Sequence, residues 1–126
     1  MTDPPLVLVV EDHADAREMY AAGLELAGFR VAEAADGLDA IARAIELRPA
    51  AIVMDLTLPG LDGWDATRRL KRDARTVSIP VIALSGHTLP RHIDEARAAG
   101  CVAVLLKPCL PDALAAEVRR ALGAQG

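Results

Sequence analysis

The chain has 126 residues and a net charge of −4, enough length for one domain with a packed core and no basic excess of the kind nonspecific nucleic-acid binding needs, so no nucleic-acid partner is expected. Its content of 52% hydrophobic and 25% charged residues excludes global disorder, and with Tyr20, Phe29 and Trp64 as its only aromatic residues the core must be filled by Ala, Val, Leu and Ile. The apolar runs are too short to span a membrane, and the opening Met1-Thr2-Asp3-Pro4-Pro5 lacks the basic and apolar segments of a secretion signal, so a cytoplasmic protein is expected, with no membrane contact and with Cys101 and Cys109 as free thiols.

The first predicted strand, Leu6–Val10, runs into Glu11-Asp12. A helical stripe follows through Ala16, Met19, Tyr20, Gly23, Leu24 and Ala27, with Met19 and its alanine neighbours read as core, and Gly28 ends it. Arg30–Ala34 forms the second strand and Asp36-Gly37 a turn. Leu38, Ile41 and Ile45 mark a second helix that stops before Pro49. The third strand, Ala51–Asp55, leads through the loop Leu58-Pro59-Gly60 to a helix that runs from Asp62-Gly63 through Leu70 with a weak apolar period. Its basic run, Arg68-Arg69-Leu70-Lys71-Arg72, reads as a solvated helix face. The fourth strand starts at Pro80 and runs through Val81–Leu84 into Ser85. Leu89, Ile93 and Ala96 then mark a fourth helix capped by Gly100. The fifth strand, Val102–Leu106, runs into Lys107-Pro108. Pro111 suits the first turn of a last helix that turns Leu114, Val118 and Leu122 inward and ends about four residues before the C-terminus. Short apolar runs alternating with helical segments five times predict an α/β fold whose parallel sheet is covered on both faces. Without repeats or a linker, the chain reads as one domain over residues 1–126, core about 6–122, lacking an output domain of its own.

In such a sheet ligands bind outside the carboxyl ends of the strands. Here those ends carry Glu11, Asp12, Asp55, Ser85 and Lys107, a set suited to a divalent metal and a phosphoryl group. Mg²⁺ takes hard oxygen ligands: a carboxylate oxygen each from Asp12 and Asp55, Glu11 through a water or as part of the acidic patch, and a backbone carbonyl after Asp55, that of Thr57. Asp55, in the middle of the cluster, is the nucleophile candidate, since a carboxylate can attack phosphorus to give an aspartyl phosphate. Lys107, one of only two lysines among fourteen basic residues, offers a compact charge to the phosphoryl oxygens. The Ser85 hydroxyl offers a hydrogen bond.

With Val10-Glu11-Asp12, Met54-Asp55, Leu58-Pro59-Gly60-Leu61-Asp62-Gly63, Ser85-Gly86 and Lys107-Pro108 in this order, the chain resembles a response-regulator receiver domain, the phosphoacceptor module of two-component signalling. The resemblance covers nearly all of Leu6 to Leu122. It implies a flavodoxin-like, doubly wound, five-stranded sheet in the order 2-1-3-4-5 with five helices. It implies Mg²⁺-dependent transfer of a phosphoryl group to Asp55 from a histidine kinase or histidine phosphotransfer protein, with Ser85 and Lys107 on the phosphoryl group, and no enzymatic activity beyond self-phosphorylation and autodephosphorylation. A surface of the fourth helix, fifth strand and fifth helix would then change and act on a downstream protein or form a phosphorylation-dependent dimer. Thr57 and His87 would flank the phosphoryl group and tune its lifetime. Two positions depart from the family pattern: Val104 stands where many members carry a switching Tyr or Phe, and Cys109 where Phe often follows Lys-Pro. Two other readings use the same residues. One is a phosphorylation-independent interaction module. The other is a haloacid-dehalogenase-like phosphatase, whose second Asp is here replaced by Thr57.

Overall fold

A computed structural model describes residues 3–86 and 89–125. The chain alternates β1 (Leu6–Val10), α1 (Ala14–Leu26), β2 (Arg30–Ala34), α2 (Gly37–Leu47), β3 (Ala51–Asp55), α3 (Gly63–Arg72), β4 (Val81–Ser85), α4 (Pro90–Ala99), β5 (Ala103–Leu106) and α5 (Pro111–Gln125). The strands form one parallel sheet in the order β2-β1-β3-β4-β5. This is the doubly wound architecture expected from the sequence.

Alternation along each strand divides the core in two. Val7, Val9, Val53, Ile82 and Leu84 pack against α1 and α5, where Tyr20, Leu24, Leu114 and Val118 are buried. Leu8, Val10, Ile52, Met54 and Ala83 pack against α2, α3 and α4 through Ala40, Ala44, Ala66, Leu70 and Ala96. β3 and β4 are buried along their whole length, and β1 along all but Leu6. The edge strands β2 and β5 are only half-buried, because each has one strand neighbour and thinner helical cover.

Several details differ from the sequence expectations. Met19 is 45% exposed rather than core, and Leu38 is 62% exposed. Met19 lies on the rim of a groove between α1 and the start of α5 instead of facing the sheet. The buried face of α2 runs through the small residues Gly37, Ala40 and Ala44. A Cβ on Gly37 would stand 2.5 Å from the Leu61 carbonyl oxygen, so the start of this helix lies close against the loop before α3. α3 runs two residues past Leu70, and α5 continues to Gln125. Pro80 and Val102 fall just outside their strands, although the Val102 N–H still bonds the Val81 carbonyl at 2.9 Å. Leu89 is the exposed residue that precedes α4.

Candidate functional site

Register brings the strand ends together. Val10 lies opposite Met54, which sets Glu11 level with Asp55. Asp55 lies opposite Leu84, and Ser85 opposite Leu106, so Lys107 emerges one residue beyond Ser85. The backbone continues the ladder past the last strand, with the Lys107 N–H bonded to the Ser85 carbonyl at 2.8 Å. The Lys107–Pro108 peptide is cis.

Lys107 is the hub of the charged cluster. Its ammonium donates to Asp55 Oδ2 at 3.0 Å and reaches the two Glu11 carboxylate oxygens at 3.4 and 3.5 Å. The other Asp55 oxygen, Oδ1, accepts the Thr57 backbone N–H at 3.1 Å. Glu11, Asp55 and Ser85 are buried polar residues, none more than 2% exposed. Burial of this kind makes charge costly unless it is paired. Glu11 shows the effect: burial, followed by the hydrogen bond and charge of Asp55, pushes its carboxyl up to about 7, and Lys107 offsets only part of that. Partial burial works against the Lys107 charge, but the Asp55 and Glu11 carboxylates outweigh it and hold its pKa above the ordinary value.

The residues present fit a hard divalent cation. Asp12 Oδ1 is shut off from solvent and accepts no hydrogen bond among the described residues. His13 Nδ1 lies 3.4 Å away. A sequestered carboxylate oxygen without a donor is an acceptor suited to a cation. The expected ligand set of Asp12, Asp55, Glu11 and the Thr57 carbonyl is all oxygen, which suits Mg²⁺.

Glycine opens the loop behind Asp55. A Cβ on Gly63 would run into the Asp55 carbonyl oxygen and the Leu56 Cα, and the Gly63 N–H bonds the Leu56 carbonyl at 2.9 Å. Asp62 caps α3 by accepting the Asp65 N–H at 2.8 Å. Beside Ser85, a Cβ on Gly86 would meet no described atom within 4 Å, which leaves the approach open. The expectation for His87 falls outside the described residues.

Three neighbours of the site were not legible as such in the sequence. His13 Nδ1 lies 3.5 Å from Glu11 Oε1 as well as beside Asp12; its signal was adjacency to the acid pair. Arg17, one helical turn on, donates to the Glu11 carbonyl at 2.9 Å. Tyr20 was read as core, and it is buried, but its phenol also feels the site: burial raises its pKa, Lys107 opposes the rise, and Glu11 and Asp55 add to it. Helical spacing placed Tyr20 inward without showing which end of the sheet it faces.

The sequence model of the response regulator receiver domain matches residues 7–119. The chain belongs to that family. It is a receiver domain of two-component signalling, a phosphoacceptor module. The receiver is 36% identical over 120 residues to the phosphate regulon transcriptional regulatory protein PhoB of Pseudomonas aeruginosa, covering 95% of this chain and 52% of that one. It is 38% identical over 122 residues to the transcriptional regulatory protein PrrA of Mycobacterium tuberculosis, covering 97% and 52%. It therefore spans about half the length of the curated relatives it matches. Among solved structures, the chemotaxis response regulator CheY4 of Vibrio cholerae superposes with a TM-score of 0.88 at 30% identity, over 94% of this chain and 98% of that one. The receiver domain of a Pseudomonas aeruginosa sensor histidine kinase, solved with a magnesium ion coordinated in its active-site cleft, gives 0.88 at 33% identity over 95% and 98%. Among the described residues no helix is long and apolar enough to cross a membrane.

Proposed function

We propose that Asp55 is the phosphoacceptor of this receiver and takes its phosphoryl group from the phosphohistidine of a kinase or phosphotransfer protein. The observation that carries this is the Lys107 ammonium held 3.0 Å from Asp55 Oδ2 at the end of a buried strand. In the transfer an Asp55 carboxylate oxygen forms the new O–P bond as the N–P bond to the donor imidazole breaks, and the imidazole leaves with the electron pair. Thr57 N–H fixes the other carboxylate oxygen, which aims the nucleophile. Lys107, on a flexible stem, follows the negative charge from the carboxylate to the phosphoryl oxygens. Ser85, at the end of the neighbouring strand, offers its hydroxyl to the same group. Asp12, Asp55, Glu11 and the Thr57 carbonyl would hold Mg²⁺, which would supply charge neutralisation at those oxygens.

The readout surface is that of α4, β5 and α5. Its support is the edge position of β5 and the exposure of Val102 and Leu106, 47% and 44%. Val104 packs against the core and has no ring to rotate, so a shift led by Ser85 carries the signal. The partner is a kinase, a phosphotransfer protein, a downstream protein or a second copy of the chain, reached in the cytoplasm.

Intact mass after incubation with acetyl phosphate and Mg²⁺ tests the acceptor. One added phosphoryl group is expected on the wild type, and none on Asp55→Asn or without Mg²⁺. A persistent adduct on Asp55→Asn would move the acceptor elsewhere. A wild type that takes up no phosphoryl group, even with fast quenching, would favour an interaction module that works without phosphorylation.

A further inference from the structure

Arg17 lies outside the set of residues expected to meet the phosphoryl group or the metal, yet its side chain is committed on two sides. Nη1 donates to the Glu11 backbone carbonyl at 2.9 Å, and Nε donates to Glu33 Oε1 at 3.1 Å. The side chain is only 20% exposed. Its own N–H bonds the His13 carbonyl at 2.9 Å, so the residue is anchored within α1 while its guanidinium reaches back over the loop from β1. The Glu11 N–H, on the other side of the same residue, bonds the Ala34 carbonyl at 3.1 Å. Glu11 is thus gripped at both backbone polar groups, one from β2 and one from Arg17.

The gripped carbonyl belongs to the peptide that joins Glu11 to Asp12. Rotation of that peptide would change the direction of both carboxylates together. With it fixed, Glu11 faces Lys107 and Asp12 keeps Oδ1 sequestered without a hydrogen-bond donor. We infer that Arg17 is a positioning residue for the cation site, acting through the Glu11–Asp12 peptide, and that Glu33 holds its guanidinium in place. This rests on the reading of Asp12 as a metal ligand. Partners that orient metal ligands from behind are worth about 10–100-fold in affinity. Lys, with one point charge and no fork, cannot make both bonds in the same way.

The sign of the effect separates positioning from charge. Arg17 is a cation near a cation site, so by Coulomb repulsion alone its removal would tighten Mg²⁺ binding. Positioning demands the reverse. Mg²⁺ is titrated into the metal-free full chain by calorimetry, well below the melting temperature, for wild type, Arg17→Ala, Arg17→Lys, Glu33→Gln and Asp12→Asn. A Kd weakened about tenfold or more is expected in Arg17→Ala, with little rescue by Arg17→Lys and a smaller loss in Glu33→Gln. A purely structural role would lower the melting temperature and leave the Kd of the folded protein where it was, which would overturn the inference. Tighter binding in Arg17→Ala would also overturn it. Should Arg17→Ala fail to fold, Arg17→Lys and Glu33→Gln decide the matter, since wild-type Kd values in both would be fatal to the idea. If Asp12→Asn binds Mg²⁺ as tightly as wild type, the ligand assignment itself is wrong and the inference falls with it.

Discussion

Lys71 and Lys107 are the only lysines of the chain, and both hold oxygen atoms. Lys71 donates to the carbonyls of Val77 and Ile79 at 3.1 and 2.5 Å, and its stem lies where a Cβ on Gly100 would be. Scarcity of lysine therefore marked two compact point charges, of which only Lys107 lies at the acidic cluster. Lys71→Ala should lower stability by about 1–2 kcal/mol, read by urea unfolding, and leave the rate of phosphoryl uptake from acetyl phosphate within about twofold. Lys107→Ala should slow that uptake about tenfold or more, read by a mass time course. Glu11 gives the pH prediction. Its folded pKa is about 7 against an ordinary 4.5. Below 4.5 both states hold the proton and its stabilising contribution is complete; as pH rises from 4.5 to 7 the unfolded chain releases the proton first, so stability falls across that window. With a chelator present, wild type should lose on the order of 2 kcal/mol between those pH values relative to Glu11→Gln, measured by urea unfolding at each pH.

At the scale of elements, close approaches decide where the site residues end up. Gly23 lets α1 meet α5, since a Cβ there would overlap the Pro111 ring. Arg119 then closes the far end of the same contact, donating to the Ala27 carbonyl at 2.9 Å and lying 5.7 Å from the centre of the Phe29 ring. Gly63 does the equivalent for α3 against the end of β3. Gly63→Ala should cost about 1–3 kcal/mol through overpacking and should also disturb Asp55, so both the melting temperature and phosphoryl uptake should fall. Gly23→Ala should lower the melting temperature with a much smaller effect on uptake, because the strain lies away from the acceptor. Trp64 links the next pair of elements: its indole N–H donates to the His92 carbonyl at 3.2 Å, with the rings 5.9 Å apart. It is the chain's only tryptophan, so its fluorescence reports on the contact between α3 and α4.

For the whole molecule, the acidic cluster is a local conflict that the fold tolerates. Buried carboxylates at converging strand ends are drawn together by the Lys107 ammonium, and a bound cation would relieve their repulsion. Because the cation binds the assembled site and not the unfolded chain, Mg²⁺ at a hundredfold excess over its Kd should stabilise the protein by about 2.7 kcal/mol. For a domain of this size that is a rise of roughly 10 °C in melting temperature, and Asp12→Asn should abolish most of it. An equal rise in the mutant would remove Asp12 from the ligand set. The two cysteines, both buried with thiols pushed up by burial, should leave the melting temperature independent of reductant.

The order of elements, the parallel sheet and the five strand-end residues were readable from the chain itself. Apolar runs of strand length alternating with helical periods leave few arrangements that bury both sheet faces, and a polar residue directly after each run must fall at the carboxyl edge. The departures have a common cause. Met19 and Leu38 satisfy a helical stripe in sequence, but which side of a stripe meets the sheet depends on packing with the rest of the fold, and in α2 the buried side runs through Gly37, Ala40 and Ala44. Likewise the sequence supplied Glu11, Asp12, Asp55 and Lys107 as residues of the right chemistry. Only the register of β1, β3, β4 and β5 put one ammonium between two of those carboxylates, and only the return of α1 over the first loop brought Arg17 to the Glu11 carbonyl. Local patterning fixes which residues stand at the carboxyl ends of the strands, while the buried side of a helix and the distances between residues far apart in the chain are set by packing that no single segment contains.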